Sequence, residues 1–333
     1  MRIDRKSEIA GLGFSVPDRI VTNKDLEALM DTTDEWIVSR SGIHERRWVS
    51  GETGTSDLAI AASRQAMERA GVNAREIDMV IAATITPDYY FPGISVQIQD
   101  QLGMHSIGAF DIRAACSGFI YALSVADQFI KTAYAKTVLV VGAEVQSTAL
   151  NVSTEGRDMA VLFGDGAGAA VLRAGHNERC VLSTHLHSQG KYLKELWCEG
   201  PASRCNPRIS EEMINEGRHY PSMNGREVFR QAVTRFPEAI CEALDANSLS
   251  IDDVALIIPH QANLRISQAV AKRLGISMDR VYSNIQRYGN TTAASIPIAL
   301  AEALDEGKIK EGDVIILAAF GAGFTWASAA IRW

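Results

Sequence analysis

Positive charge is in deficit in this chain. Its 33 Lys and Arg stand against 40 Asp and Glu, a formal net charge of -7 at pH 7. That balance argues against a general binder of nucleic acid or of an anionic membrane surface. Long apolar runs are also missing. No uninterrupted stretch approaches the ~20 residues of a membrane span, and the opening Met1-Arg2-Ile3-Asp4-Arg5-Lys6 lacks the apolar core of a secretory signal. Cysteine is sparse and unmatched. The five residues at 116, 180, 198, 205 and 241 are odd in number, and Cys198 and Cys205 have no second Cys/His pair to complete a zinc site. A reducing, cytoplasmic setting is the expectation. Low-complexity tracts are absent.

What is present is an ordinary globular balance over 333 residues, 47% hydrophobic and 22% charged, enough for one large domain or two fused ones. Apolar runs and helical periodicities alternate, the pattern of an α/β fold. The run predicts a helix capped by Ser56 and ended at Gly71, with strands at 79–83, 138–141 and from 161–163. A helix over 228–244 and strands at 254–258 and 314–317 follow. The segment 190–221, with Gly200-Pro201 and Asn206-Pro207, reads as a long excursion.

The two halves echo each other. Ile77-Asp78 recurs as Ile251-Asp252, 174 residues on, and Val138–Val141 recurs as Val314–Leu317, 176 residues on. Gly164-Asp165-Gly166-Ala167-Gly168 resembles Gly321-Ala322-Gly323. A shift of about 175 carries Cys116 to the neighbourhood of Asn290-Thr291-Thr292. Such agreement predicts a duplicated unit, residues 1–175 and 176–333, with equivalent helix starts meeting at one centre.

Three residues stand out for chemistry. Cys116, in Ala114-Ala115-Cys116-Ser117-Gly118-Phe119, has small neighbours and sits at the start of a helical pattern, where free N–H groups and the helix dipole favour a thiolate. A lone cysteine is otherwise a core residue. His260 follows an apolar strand and Pro259, at the carboxyl end where open parallel sheets carry their sites. Asn290, between Gly289 and Thr291, is either a helix cap or a pocket amide. The run at 164–168 lacks the strand-turn-helix context and the Lys-Ser/Thr ending of a phosphate loop, so a tight turn or close backbone packing is the expectation.

Taken together, Ala115-Cys116-Ser117-Gly118-Phe119, Pro259-His260-Gln261-Ala262-Asn263, Gly289-Asn290-Thr291-Thr292-Ala293-Ala294-Ser295 and Ala319–Trp326 resemble β-ketoacyl-acyl-carrier-protein synthase III. Asp31–Ile37 and Phe163–Val171 match the same pattern, so the resemblance covers nearly the whole chain. It implies a thiolase-like fold, a duplicated five-layer α/β/α/β/α sandwich, and a homodimer. It also implies an acyltransferase of fatty-acid biosynthesis that joins an acyl-CoA primer to malonyl-acyl-carrier protein, with no permanently bound cofactor or metal.

By that resemblance Cys116 carries the acyl group, His260 and Asn290 stabilise the enolate, and the backbone N–H groups of Cys116 and Ala322 form an oxyanion hole. Trp36 and Arg157 hold the adenine of CoA, Arg40 lies near its phosphates, and Asn263 and Gly225 flank the pantetheine arm. Phe91 closes the partner's acyl pocket. Arg265, Lys272 and Arg273 fall on the helix after His260, with 265 and 272 seven apart and so on one face; they either dock an acidic carrier protein or form a solvated helix face. The Gly321-Ala322-Gly323 loop lacks the second cysteine of a thiolase, and Asn290 replaces the second histidine of the elongating synthases. Ala322 stands where the family usually has glycine. A related acyltransferase or secondary-metabolite condensing enzyme is the alternative, and a noncatalytic partner subunit is a third.

Overall fold

The computed structural model describes residues 5–175 and 178–333. The first sheet holds β1 (Lys6–Ser15), β2 (Met79–Ala83), β3 (Gly108–Ile112), β4 (Thr137–Glu144) and β5 (Gly166–Gly175), in the order β1-β5-β4-β2-β3. The second holds β6 (Cys180–Ser188), β7 (Val254–Pro259), β8 (Val314–Gly321) and β9 (Thr325–Arg332), in the order β7-β8-β9-β6. Read in the matching direction, the orders and the parallel or antiparallel sense of each pair coincide. Only the counterpart of β3 is reduced, to a single parallel bridge between Ile257 and Val281.

α1 (Asp34–Ser41) packs in a separate cluster with Val21, Leu26 and Trp48. Among the described residues, six other helices cover the sheets: α2 (Thr55–Ala70), α3 (Ile94–Gln101), α4 (Gly118–Lys131), α5 (Gly225–Ala246), α6 (Leu264–Leu274) and α7 (Ser295–Asp305). Period-two alternation decides which face meets which helix. On β2, Met79, Ile81 and Ala83 join the central core with Phe119 and Leu123 of α4 and Ile296 and Leu300 of α7. Val80 and Ala82 turn outward against Leu58 and Ala62 of α2 and Ile98 of α3. On the second sheet Leu256, Ile258 and Leu317 face the same centre, while Ile257, Ile316 and Phe320 face Phe236 and Ile240 of α5. Strands apolar on both faces are what a twice-covered sheet requires. The layers are α2/α3, first sheet, α4/α7, second sheet, α5/α6: the five-layer sandwich.

Several sequence expectations need correction. Ser56 is inside α2 rather than its cap. Gly54 is the N-cap, and the Asp57 carboxylate accepts the Gly54 N–H at 2.8 Å. The repeat pairing at Ile77-Asp78 and Ile251-Asp252 is out of phase: the equivalent turns are the capping boxes Asn73–Glu76 and Ser250–Asp253. Val161–Phe163 begins no strand, because its carbonyls are already taken. Val161 O accepts from Arg46 Nη2, Leu162 O from Asn290 N, and Phe163 O from Trp48 Nε1. The strand starts at Gly166 instead. Close packing at the glycine run is present, since a Cβ on Gly164 would stand 2.1 Å from the Tyr288 carbonyl oxygen. The expected junction at 175/176 adjoins residues 176–177, outside the described residues.

Candidate active site

Cys116 and its counterpart in the second repeat, Ala293, are presented by equivalent turns. Cys116 lies in a single 3-10 turn, Ala115–Ser117, feeding α4, and Thr292–Ala294 is the matching turn feeding α7. Both turns open on a left-handed residue, Ala115 at φ 45° and Thr292 at φ 48°. Two non-glycine residues in that region mark a backbone held there by its surroundings. Cys116 therefore sits directly before the Ser117 N-cap of α4, near the helix start that the sequence predicts.

Cys116, His260 and Asn290 line one cavity of about 150 Å³. Its walls are largely apolar: Leu162 and Phe163, Leu196 and Met223, Val228, Phe229, Ala232 and Phe236 of α5, Ile266 of α6, and Phe320. Gly225 and Asn263 also line it. Beyond Gly225, sequence reading missed the α5 wall, although residues 228, 229, 232 and 236 fall at helical spacing and carry that signal.

Cys116 is buried, and its thiol is pushed up to about 12 by burial and then by the Glu144 charge. The N–H groups of Ala322 and Cys116 itself act the other way without offsetting this. Burial thus favours the thiol over the thiolate expected from the helix start. Those two N–H groups nevertheless lie beside the sulfur.

His260 is buried at the end of β7, with its N–H on Ala318 O and its Nδ1 2.6 Å from Ser295 Oγ. Burial pulls its pKa down to about 3, so the ring is neutral near pH 7. Asn290 is held by its own backbone on the Leu162 and Gly164 chain, and its Oδ1 accepts the Thr292 N–H at 2.9 Å. That contact leaves Nδ2, the donor end, for the cavity. Glu144, unremarked in the sequence, lies beneath the site. It accepts from Thr86 Oγ1 at 2.5 Å, Thr84 Oγ1 at 3.3 Å, and the N–H groups of Ile85 and Ala293. Burial pushes its carboxyl up to about 7 despite these donors.

Outside the cavity, Trp36 of α1 lies beneath two guanidinium groups, Arg40 at 4.4 Å and Arg157 at 5.3 Å from the ring centroid. Arg157 also donates to Asp31 O at 2.5 Å. A base stacked between indole and guanidinium needs about 7 Å, two van der Waals contacts, so Arg157 has to swing outward to admit one. Asn263 caps α6 and donates to Arg40 O at 2.8 Å, tying the ends of α1 and α6 together. On α6, Arg265, Lys272 and Arg273 are exposed. Arg265 overlies Phe229 at 5.8 Å, whereas Arg273 donates to Val233 O. Phe91 is 79% exposed beside Tyr89 and Tyr90, away from this chain's own cavity. Among the described residues no cluster fit to hold a metal ion occurs, and no helix is long and apolar enough to cross a membrane.

Residues 244–333 match the model of the 3-oxoacyl-[acyl-carrier-protein] synthase III C-terminal family, and residues 110–190 match that of 3-oxoacyl-[acyl-carrier-protein] synthase III. The chain is 47% identical over 325 residues to a curated β-ketoacyl-[acyl-carrier-protein] synthase III of Roseiflexus castenholzii, covering 98% of this chain and 97% of the relative. It superposes on the 3-oxoacyl-[acyl-carrier-protein] synthase III of Aquifex aeolicus with a TM-score of 0.90 at 43% identity, covering 98% and 100% of the two chains. For the Thermus thermophilus synthase III the TM-score is 0.91, again at 43% identity, with 98% and 99% covered.

Proposed function

The chain belongs to the 3-oxoacyl-acyl-carrier-protein synthase III family, and from that premise we propose that Cys116, His260 and Asn290 carry out its condensation. The reaction joins an acyl-CoA primer to malonyl-acyl-carrier protein, giving 3-oxoacyl-carrier protein, CoA and CO2, and initiates fatty-acid synthesis. The observation that carries the assignment is the shared cavity: one sulfur, with an imidazole and an amide whose inner atoms are both already hydrogen-bonded behind them.

In the first half-reaction the Cys116 sulfur attacks the acyl-CoA carbonyl. The tetrahedral oxyanion is met by the Cys116 and Ala322 N–H groups, and the CoA sulfur leaves with the proton that Cys116 gives up. Because thiol is exchanged for thiol, the high resting pKa costs no net proton. In the second half-reaction the malonyl thioester loses CO2, and negative charge develops on its thioester oxygen. Neutral donors from His260 and Asn290 stabilise that enolate without protonating its carbon. The carbon attacks acyl-Cys116, and the sulfur is expelled and takes up a proton.

Trp36, Arg40 and Arg157 would receive the nucleotide end of CoA, with Asn263 and Gly225 along the arm, a reading supported by the two cations over the indole and by the Asn263–Arg40 hydrogen bond that joins this patch to the cavity lining. Arg265, at the rim, is the best placed of the three carrier-docking cations; Lys272 and Arg273 lie two turns farther along α6. Exposed Phe91 supports a homodimer in which it reaches the partner's acyl pocket. The halves 1–175 and 176–333 act as the two repeats. Cysteines that are all free favour a cytoplasmic setting.

Incubation with a panel of acyl-CoAs, then malonyl-carrier protein, followed by intact-mass and peptide mass spectrometry, tests the assignment. Acyl mass on Cys116 and then a 3-oxo product are expected. Acylation elsewhere overturns the nucleophile, and an acyl-Cys116 that never condenses favours the acyltransferase alternative.

A further inference from the structure

We propose that Ser295 is a positioning residue: its hydroxyl donates to His260 Nδ1 and so keeps the imidazole proton on Nε2, the nitrogen left for the cavity. The inference rests on the reading of His260 as an enolate donor. Ser295 opens α7, is 2% exposed, and places Oγ 2.6 Å from Nδ1. The Gln261 N–H points at the same oxygen from 3.4 Å.

Proton accounting then selects one arrangement. A serine oxygen offers one proton and two lone pairs, and a neutral imidazole offers one proton and one lone pair. Among the described residues, Ser295 Oγ has no hydrogen-bond acceptor other than Nδ1. If the ring donated Nδ1–H to Oγ, the serine proton would be buried without an acceptor, the costly case for a polar group. If serine donates to Nδ1, its oxygen still accepts from Gln261 and no proton is stranded. The ring's single proton is then on Nε2.

The choice of a hydroxyl matters. A carboxylate or carbonyl at this place can only accept, and would draw the proton to Nδ1 and favour a charged ring. Serine can donate and brings no charge, in keeping with a histidine that burial holds neutral. Ser295 also follows directly on the 3-10 turn after Asn290. One short stretch therefore supplies the amide donor and orients the imidazole donor.

The test is nitrogen NMR of protein labelled with 15N-histidine, with His260→Ala identifying the signal. Two-bond nitrogen–proton correlations are expected to show Nε2–H in the parent protein, a shift toward Nδ1–H or a mixture in Ser295→Ala, and recovery in Ser295→Thr. Malonyl-carrier decarboxylation and kcat should fall roughly ten- to hundredfold in Ser295→Ala, with KM for acyl-CoA within about twofold. An Nδ1–H signal in the parent, or an unchanged Nε2–H signal in Ser295→Ala, overturns the proposal. A shifted tautomer with undiminished decarboxylation would uphold the role of Ser295 and instead remove His260 from the enolate site.

Discussion

Gly321 and Cys116 face each other so closely that a Cβ on Gly321 would lie 2.5 Å from Cys116 Cβ and 2.9 Å from Sγ. Ordinary carbon contacts begin near 3.5 Å, so any side chain at 321 must displace the nucleophile. Gly321→Ala is expected to slow acylation of Cys116 by roughly a hundredfold, the effect of a misplacement near 1 Å. Overpacking of this kind costs about 1–3 kcal/mol, so the variant should still fold. Time-resolved intact-mass measurements beside a thermal melt check both halves of the statement. Parent-like acylation in a folded variant would refute the tight-contact argument.

Two buried groups, His260 and Glu144, pull stability in opposite directions with pH. His260 has its pKa lowered on folding, to about 3, so its contribution is present above the unfolded value near 6.5 and is lost as pH falls. Glu144 has its pKa raised, to about 7, so its contribution is present below the unfolded value near 4.5 and is lost as pH rises toward 7. Between pH 4.5 and 6.5 the two slopes largely cancel. Denaturant melts at several pH values should show it. His260→Asn should make stability fall with rising pH there, and Glu144→Gln should make it rise, each by up to about 1.4 kcal/mol per pH unit.

Glu144 also acts on the nucleophile, since its charge helps to raise the Cys116 thiol. Glu144→Gln removes that charge and is expected to speed alkylation of Cys116 by roughly three- to tenfold at pH 8. At pH 6, where the parent carboxyl is mostly protonated, the difference should shrink sharply. Peptide-resolved iodoacetamide labelling gives the rate, with exposed Cys198 and Cys241 as internal references. An effect of equal size at both pH values would mean that packing, not charge, links the pair.

Trp36→Ala removes the platform beneath Arg40 and Arg157. Loss of stacking on the order of 1–2 kcal/mol raises KM for acyl-CoA about five- to thirtyfold. The rate of condensation from preformed acyl-Cys116 should change little. Steady-state kinetics with acyl-CoA varied, compared with single-turnover condensation, separates the two. An equal fall in both would move Trp36 from CoA binding to general support of the fold.

The sequence is legible where a signal is local. The apolar runs at 79–83, 254–258 and 314–317 are strands, His260 and Asn290 follow such a run or a glycine, and Cys116 stands among small residues before a helical pattern. What escaped depends on distant chain segments meeting. Nothing near Val161–Phe163 announces that Arg46, Trp48 and Asn290 will occupy its carbonyls. Likewise Glu144 lies in no motif, and nothing in the Gly289–Ser295 run announces that Ser295 will face His260. Their significance arises because α7 comes to lie beside β7, and the Ala293 N–H beside the end of β4.

The twin left-handed turns carry a lesson about what the frame demands. Ala293 occupies in the second repeat the station that Cys116 occupies in the first, each just after its left-handed residue. The architecture asks only for something small there, and alanine satisfies it. Sulfur at 116 is freight rather than scaffolding. Chemistry was thus free to be mounted on one turn while its twin stayed mute, and the mute twin spends its place supporting the neighbours that serve the other.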